Sequence, residues 1–85
     1  MIKKNQLKIR YAVHPGITLK EKLEEMGMSP EEFAIKIDLP VEVVLSILNE
    51  KSPITSNIAI KLEKVLGIPA SFWINKQINY DILTN

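Results

Sequence analysis

Residues 29–49, SPEEFAIKIDLPVEVVLSILN, constrain this chain more than any other stretch. They read as two short helices joined by a three- or four-residue turn, the layout of a helix-turn-helix unit. Ser29 is a good N-cap, Pro30 suits the first helical position, and Glu31 and Glu32 place negative charge in the first turn, so three signals agree on one helix start. Phe33, Ala34 and Ile37 share one face, with the small Ala34 where a second helix must cross closely. Val44, Ile47 and Leu48 supply that second helix with its apolar stripe. Asp38-Leu39-Pro40 makes the turn. A left-handed backbone is expected at Asp38, and Asp is among the few non-glycine residues that tolerate it.

Size limits what can surround this unit. Eighty-five residues with 46% hydrophobic content make one small domain with a modest core. Gly and Pro are few and no strand-turn-strand spacing follows residue 13, so the expected fold class is all-α. The absence of cysteine removes disulfides, thiolate zinc sites and cysteine nucleophiles together, and fits a reducing compartment. No apolar stretch resembles a leader or a membrane span, so the expected location is the cytoplasm and no membrane partner is expected.

The same inventory speaks against catalysis. His14 is the only imidazole and stands beside Pro15 at a helix start, where capping or packing explains it better than proton transfer. One histidine and scattered carboxylates make no metal site, and no glycine-rich phosphate loop is present. No cofactor is expected.

Charge is uneven along the chain. Lys3, Lys4, Lys8 and Arg10 put four positive charges and no acids into the first thirteen residues, which leaves −3 for the remainder of a chain whose total is +1. A basic arm of this kind is either a solvated tail or a segment that seeks phosphate or a partner. Within it Leu7, Ile9, Tyr11 and Val13 alternate with Lys8, Arg10 and Ala12, the period of a half-buried strand. A lone strand must lie against the helices, pair with its twin in a dimer, or extend another protein's sheet. The chain therefore divides into an extended basic arm, residues 1–13, and a helical domain, residues 14–85.

Three further helices are expected around the central pair. Leu19, Leu23 and Met26 recur at i, i+4 and i+7 between Ile17 and Met26, and Gly27 ends that first helix, whose outer face carries a Lys20–Glu24 pair. Thr55 caps a fourth helix with Ala59, Leu62 and Leu66 on its inner face and Gly67 beyond it. The fifth begins near Ala70 or Ser71 and runs to about Leu83. Phe72, Trp73, Ile74, Ile78, Tyr80, Ile82 and Leu83 cover more than half of its circumference, more apolar surface than one core needs. Trp73, Gln77 and Tyr80 fall on one face and suit core or dimer packing rather than a ligand pocket.

Five helices in this order resemble the lambda-repressor-like, Xre-type DNA-binding domain. A narrower resemblance is carried by His14-Pro15-Gly16 opening helix 1, by Ile54-Thr55 before helix 4, and above all by Gly67-Ile68-Pro69-Ala70-Ser71-Phe72-Trp73-Ile74-Asn75 with Gln77, Asn79, Tyr80 and Asp81. These resemble the HigA antitoxins of type II toxin–antitoxin modules, whose relatives include proteins labelled virulence-associated protein I. The resemblance covers residues 14–81. It implies a homodimer that binds a palindromic operator in double-stranded DNA of its own promoter, and that binds a HigB toxin, a RelE-like mRNA nuclease. The dimer interface would use Phe72, Trp73, Ile74, Ile78, Tyr80 and Ile82 of the C-terminal helix, and two recognition helices would lie one DNA turn apart, about 34 Å.

With Val44, Ile47 and Leu48 turned inward, the face of helix 3 left for DNA is Val41, Glu42, Leu45 and Ser46, with Val43 at its margin. In domains similar to this one the positions of Val41, Glu42 and Ser46 read base edges and usually carry Gln, Arg, Ser or Thr. This chain departs from that pattern, and its direct readout is sparse. Val41 offers contact only with a thymine methyl, and Glu42 accepts from a cytosine amino group while phosphate repels it. Pro30 replaces a residue that commonly touches phosphate. Phosphate contacts fall to Lys36, Asn49, Lys51, Ser52 and the basic arm. The aliphatic, acidic character of helix 3 keeps a second reading open, a protein-interaction module that neutralises a toxin or acts as an adaptor without reading DNA. If a toxin is bound, Leu7, Ile9 and Tyr11 are the candidate contacts, by strand addition or burial.

Overall fold

The computed structural model describes residues 12–84, and these form five helices with no strand among the described residues. They are α1 (Pro15–Met26), α2 (Pro30–Ile37), α3 (Val41–Leu48), α4 (Ser56–Leu66) and α5 (Ala70–Thr84). Most of the extended arm, including Leu7, Ile9 and Tyr11, lies outside the described residues.

Helix α1 starts two residues before its apolar spacing does, because His14 caps it. The His14 Nδ1 accepts from the Gly16 N–H at 2.9 Å, and Pro15, which has no N–H to satisfy, takes the first turn. His14 is buried, and its ring meets Tyr80 edge-on with centroids 4.8 Å apart, so it both caps and packs. Gly16 lets α1 approach α3 closely: a Cβ there would run into the Ile47 carbonyl oxygen. Leu19 and Leu23 are buried as their spacing predicts, whereas Met26 is 44% exposed. Met26 is the last residue of α1, and the left-handed Gly27 turns the chain away there, so the third member of the stripe stays outside the core. The ion pair on this helix is Lys22–Glu25 at 3.3 Å, not the expected Lys20–Glu24. With Glu25 mostly in solvent it contributes no more than about 0.3–0.5 kcal/mol.

Helix α2 carries a complete capping box. Ser29 Oγ accepts from the Glu32 N–H at 3.1 Å while Glu32 Oε1 accepts from the Ser29 N–H at 2.9 Å. Asp38 ends it at φ 60°, in the left-handed region as expected. Its carbonyl accepts from Lys61 Nζ at 3.4 Å, which ties the turn to α4. Helix α3 then packs Val44 and Ile47 into the core, with Leu48 half-buried behind them. Helix α4 is capped by Thr55, whose Oγ1 accepts from the Ile58 N–H, and is closed by left-handed Gly67.

The core joins residues of every helix: Leu19 and Leu23, Phe33, Ala34 and Ile37, Val44 and Ile47, Ala59 and Leu62, and Trp73, with Ile54 from the loop before α4. Burying each large side chain contributes about 1.5–3 kcal/mol. Trp73 is wholly enclosed within the single chain. It therefore leaves the set of dimer-facing residues, since its ring has no surface to offer a partner. Gln77, one turn along, does more than fill space: its Oε1 accepts from the Ile54 N–H at 2.8 Å and its Nε2 donates to Asp81 Oδ1 at 2.9 Å. A buried amide placed this way satisfies a loop N–H that would otherwise be orphaned. The start of α5 is held likewise, by the Ala70 N–H donating to Glu63 Oε1 at 2.9 Å.

Candidate nucleic-acid interface

The outer surface of the helix-turn-helix is built from the residues that α2 and α3 cannot bury. Along α3 and its C-cap, Glu42, Leu45, Ser46 and the C-cap Asn49 repeat at i, i+3, i+4 and i+7, opposite the buried Val44 and Ile47. Glu42 and Asn49 are exposed and Leu45 is 38% exposed. Val41 is half-buried: its side chain rests on the core margin and lines an open groove with Glu31, Ala34, Ile35, Asp38 and Leu39. Val43, at the edge of the base-facing set, is half-buried against the core.

Ser46 is not free in the way its type suggests. Its Oγ lies 2.7 Å from Ser52 Oγ, so α3 is stapled to the loop that follows it. That loop turns sharply. Glu50 adopts φ 63°, a left-handed conformation that costs a non-glycine residue about 1 kcal/mol, and the Lys51 N–H returns to the Ser46 carbonyl at 2.8 Å. The result brings Ser46, Asn49, Lys51 and Ser52 together at the C-terminal end of α3. Lys36 stands apart from them, exposed on α2.

The electrostatics of this surface are unusual for a nucleic-acid binder. Between residues 29 and 52 there are five carboxylates, Glu31, Glu32, Asp38, Glu42 and Glu50, against two lysines, Lys36 and Lys51. Glu42 makes no side-chain hydrogen bond or ion pair among the described residues. One feature escapes the sequence reading altogether: Ile35, 83% exposed, projects from α2 beside the groove. It is the residue between the inward Ala34 and the solvated Lys36, and its lack of a partner on the α2 apolar face is the signal that marks it.

A second apolar surface lies on α5. Phe72, Ile78 and Ile82 are 38%, 47% and 67% exposed, Leu83 joins them at 47%, and Ile74 and Tyr80 are half-buried. The Lys76 ammonium sits 5.7 Å from the Phe72 ring centroid. Isolated apolar residues on a surface are ordinary, but this many on one helix leave an apolar surface without a partner among the described residues. No helix among the described residues is long and apolar enough to cross a membrane, and no cluster of potential metal ligands occurs among them.

Comparison with known proteins decides the family, since the helix-turn-helix family HTH_3 matches residues 19–73, from the middle of α1 to the buried Trp73. The chain belongs to the Xre-type helix-turn-helix family. Virulence-associated protein A of Dichelobacter nodosus is 39% identical over 75 residues, spanning 86% of this chain and 74% of that protein. Among solved structures, a HigA-family addiction-module antidote protein of Coxiella burnetii superposes with a TM-score of 0.84 at 36% identity, over 86% of this chain and 80% of its own. The Pseudomonas aeruginosa antitoxin HigA, solved with the higBA promoter, superposes equally well at 31% identity, over 87% and 82% of the two chains. The Xre-type fold and the HigA resemblance drawn from residues 14–81 are thus both met. This is a family of DNA-binding antitoxins and transcription regulators, not an enzyme class.

Proposed function

We propose that this protein is the antitoxin of a type II toxin–antitoxin module and represses its own promoter as a homodimer on a palindromic operator. The observation that carries the reading is the match of the five-helix fold to an antitoxin solved with promoter DNA, in a chain whose α3 outer face no other described residue covers. Val41, Glu42, Leu45 and Ser46 would face bases, and Lys36, Asn49, Lys51 and Ser52 phosphates. The dimer would close through Phe72, Ile74, Ile78, Tyr80 and Ile82, with Leu83 added and Trp73 supporting them from below. A two-fold interface buries the same patch on both subunits, which suits a band confined to one terminal helix. The basic arm, residues 1–13, would add four positive charges to a helical domain, residues 14–85, whose net charge is −3. Through Leu7, Ile9 and Tyr11 the arm contacts a RelE-like HigB toxin in the cytoplasm, and deleting residues 1–13 should abolish toxin binding while leaving the circular dichroism spectrum helical.

The test of repression is fluorescence anisotropy with duplex from the chain's own upstream region, competed by scrambled duplex at two salt concentrations. Preference for the cognate duplex, with affinity falling steeply as salt rises, is the expected outcome. Equal, weak binding of both duplexes would favour a second reading, a protein-binding module. The five carboxylates of the helix-turn-helix and the exposed Ile35 beside its groove are the observations behind that alternative.

A further inference from the structure

The composition of α3 restricts which base edges it can read. We infer that this protein selects its operator through thymine methyl groups, contacted by Leu45 and Val41, together with an exocyclic amino group held by Glu42, and not through guanine. The inference rests on the DNA-binding reading above and names the sequence class that reading must take.

Guanine presents two acceptors in the major groove, N7 and O6, and needs side-chain donors, usually from Arg or Lys. Helix α3, Val41–Leu48, contains no Arg, Lys, Gln or Asn. Its one donor side chain is Ser46, and that hydroxyl is paired with Ser52 at 2.7 Å. Two hydroxyls in contact spend one hydrogen on each other, leaving a single donor between them at the C-terminal end of the helix. Asn49 and Lys51 follow the last turn. In helix-turn-helix docking it is the N-terminal part of the recognition helix that meets base edges. Here that part offers Val41, Glu42 and, one turn on, Leu45.

Each of these has one suitable partner type. Leu45 is 38% exposed and Val41 half-buried, and the only apolar group in the major groove is the C5-methyl of thymine. Glu42 is acceptor-only when ionised, so it selects an amino group, N4 of cytosine or N6 of adenine. Its charge also repels phosphate, which makes it useful only where such a donor stands opposite. The specificity term is therefore mainly apolar, whereas the affinity term comes from cations elsewhere. Salt should weaken total binding and leave the methyl discrimination unchanged.

The experiment begins by enriching bound duplexes from a pool randomised over two helical turns, using the full chain. The best duplex is then resynthesised with deoxyuridine in place of thymidine, which keeps base pairing and removes only the methyl groups. Each lost methyl should weaken binding about fourfold, from about 0.8 kcal/mol per buried methyl-sized group, and by the same factor at low and high salt. Leu45→Ala, at a position exposed enough to keep the fold, should narrow the difference between the thymidine and deoxyuridine duplexes. Enriched duplexes that bind equally with and without the methyls, or that lose binding when 7-deazaguanine replaces guanine opposite α3, would overturn the inference while leaving DNA binding in place. A pool that yields no enriched sequence would instead overturn the DNA reading itself, and the inference with it.

Discussion

Helices α2 and α3 have the same length, eight residues each, and are held in entirely different ways. Helix α2 carries its own instructions: a capping box, Pro at its first position, two acids in the first turn, a lysine in the last and a left-handed residue at its end. Helix α3 has almost none. Pro40 stands at its N-cap with no side-chain cap hydrogen bond, four of its eight residues are β-branched, and no basic residue faces its C-terminal carbonyls. It is helical because Val44 and Ile47 are drawn into the core and because α1 closes on it at Gly16. Short isolated helices are marginal in water, so tertiary packing must supply what α3 lacks locally. The helix proposed to meet DNA therefore owes its geometry to the body behind it and not to its outward side chains Glu42 and Leu45.

The contrast can be broken most forcefully from the core side. Ile47→Ala should cost about 3–4 kcal/mol in chemical denaturation, as the loss of a fully buried branched side chain. Amide exchange in α3 should then accelerate more than in α2. Comparable protection in both helices would show that α3 has local support not visible in its sequence.

A smaller effect is expected on the locally specified side. Ser29→Ala removes one arm of the capping box and should lower stability by about 1 kcal/mol. The loss should be confined to the first turn of α2, read as faster exchange of the Glu32 amide. A change of similar size in α3 would mean that the two helices form as one unit.

The smallest effect sharpens the comparison at the helix ends. Asp38 and Glu50 are both left-handed, at φ 60° and 63°, but only Asp38 is a residue type that tolerates this readily. Glu50→Gly should therefore raise stability by about 0.5 kcal/mol, measured as a rise in the thermal midpoint, while Asp38→Gly should gain less because aspartate tolerates the conformation and its carboxylate, 3.9 Å from Lys61 Nζ, would be lost. Removing Glu50 also lifts a negative charge beside Lys51, so DNA affinity at low salt should rise with the stability.

Much of this molecule was legible in the linear sequence, and the legible parts share a cause. Ser29, Asp38, Thr55, Gly27 and Gly67 announce helix ends because capping and left-handed turns involve residues within four positions of one another. The inward faces of α1, α2 and α4 follow from a period that every helix must obey. The number of helices, their order and the Xre-type family were accessible for those reasons.

What needed the tertiary structure lies wherever two distant segments meet. Nothing local to Gly16 says that it faces the Ile47 carbonyl, or to Gln77 that it serves the Ile54 amide 23 positions away. Trp73 and Phe72 are adjacent aromatic residues on an overly apolar helix, and only packing against the other helices encloses one and leaves the other exposed. The pairing of Ser46 with Ser52 belongs to the same class, because it depends on the sharp left-handed turn at Glu50. Periodicity assigns a residue to a face of its helix. Whether that face is covered, and which polar atom covers it, is set by contacts that the sequence does not order by distance along the chain.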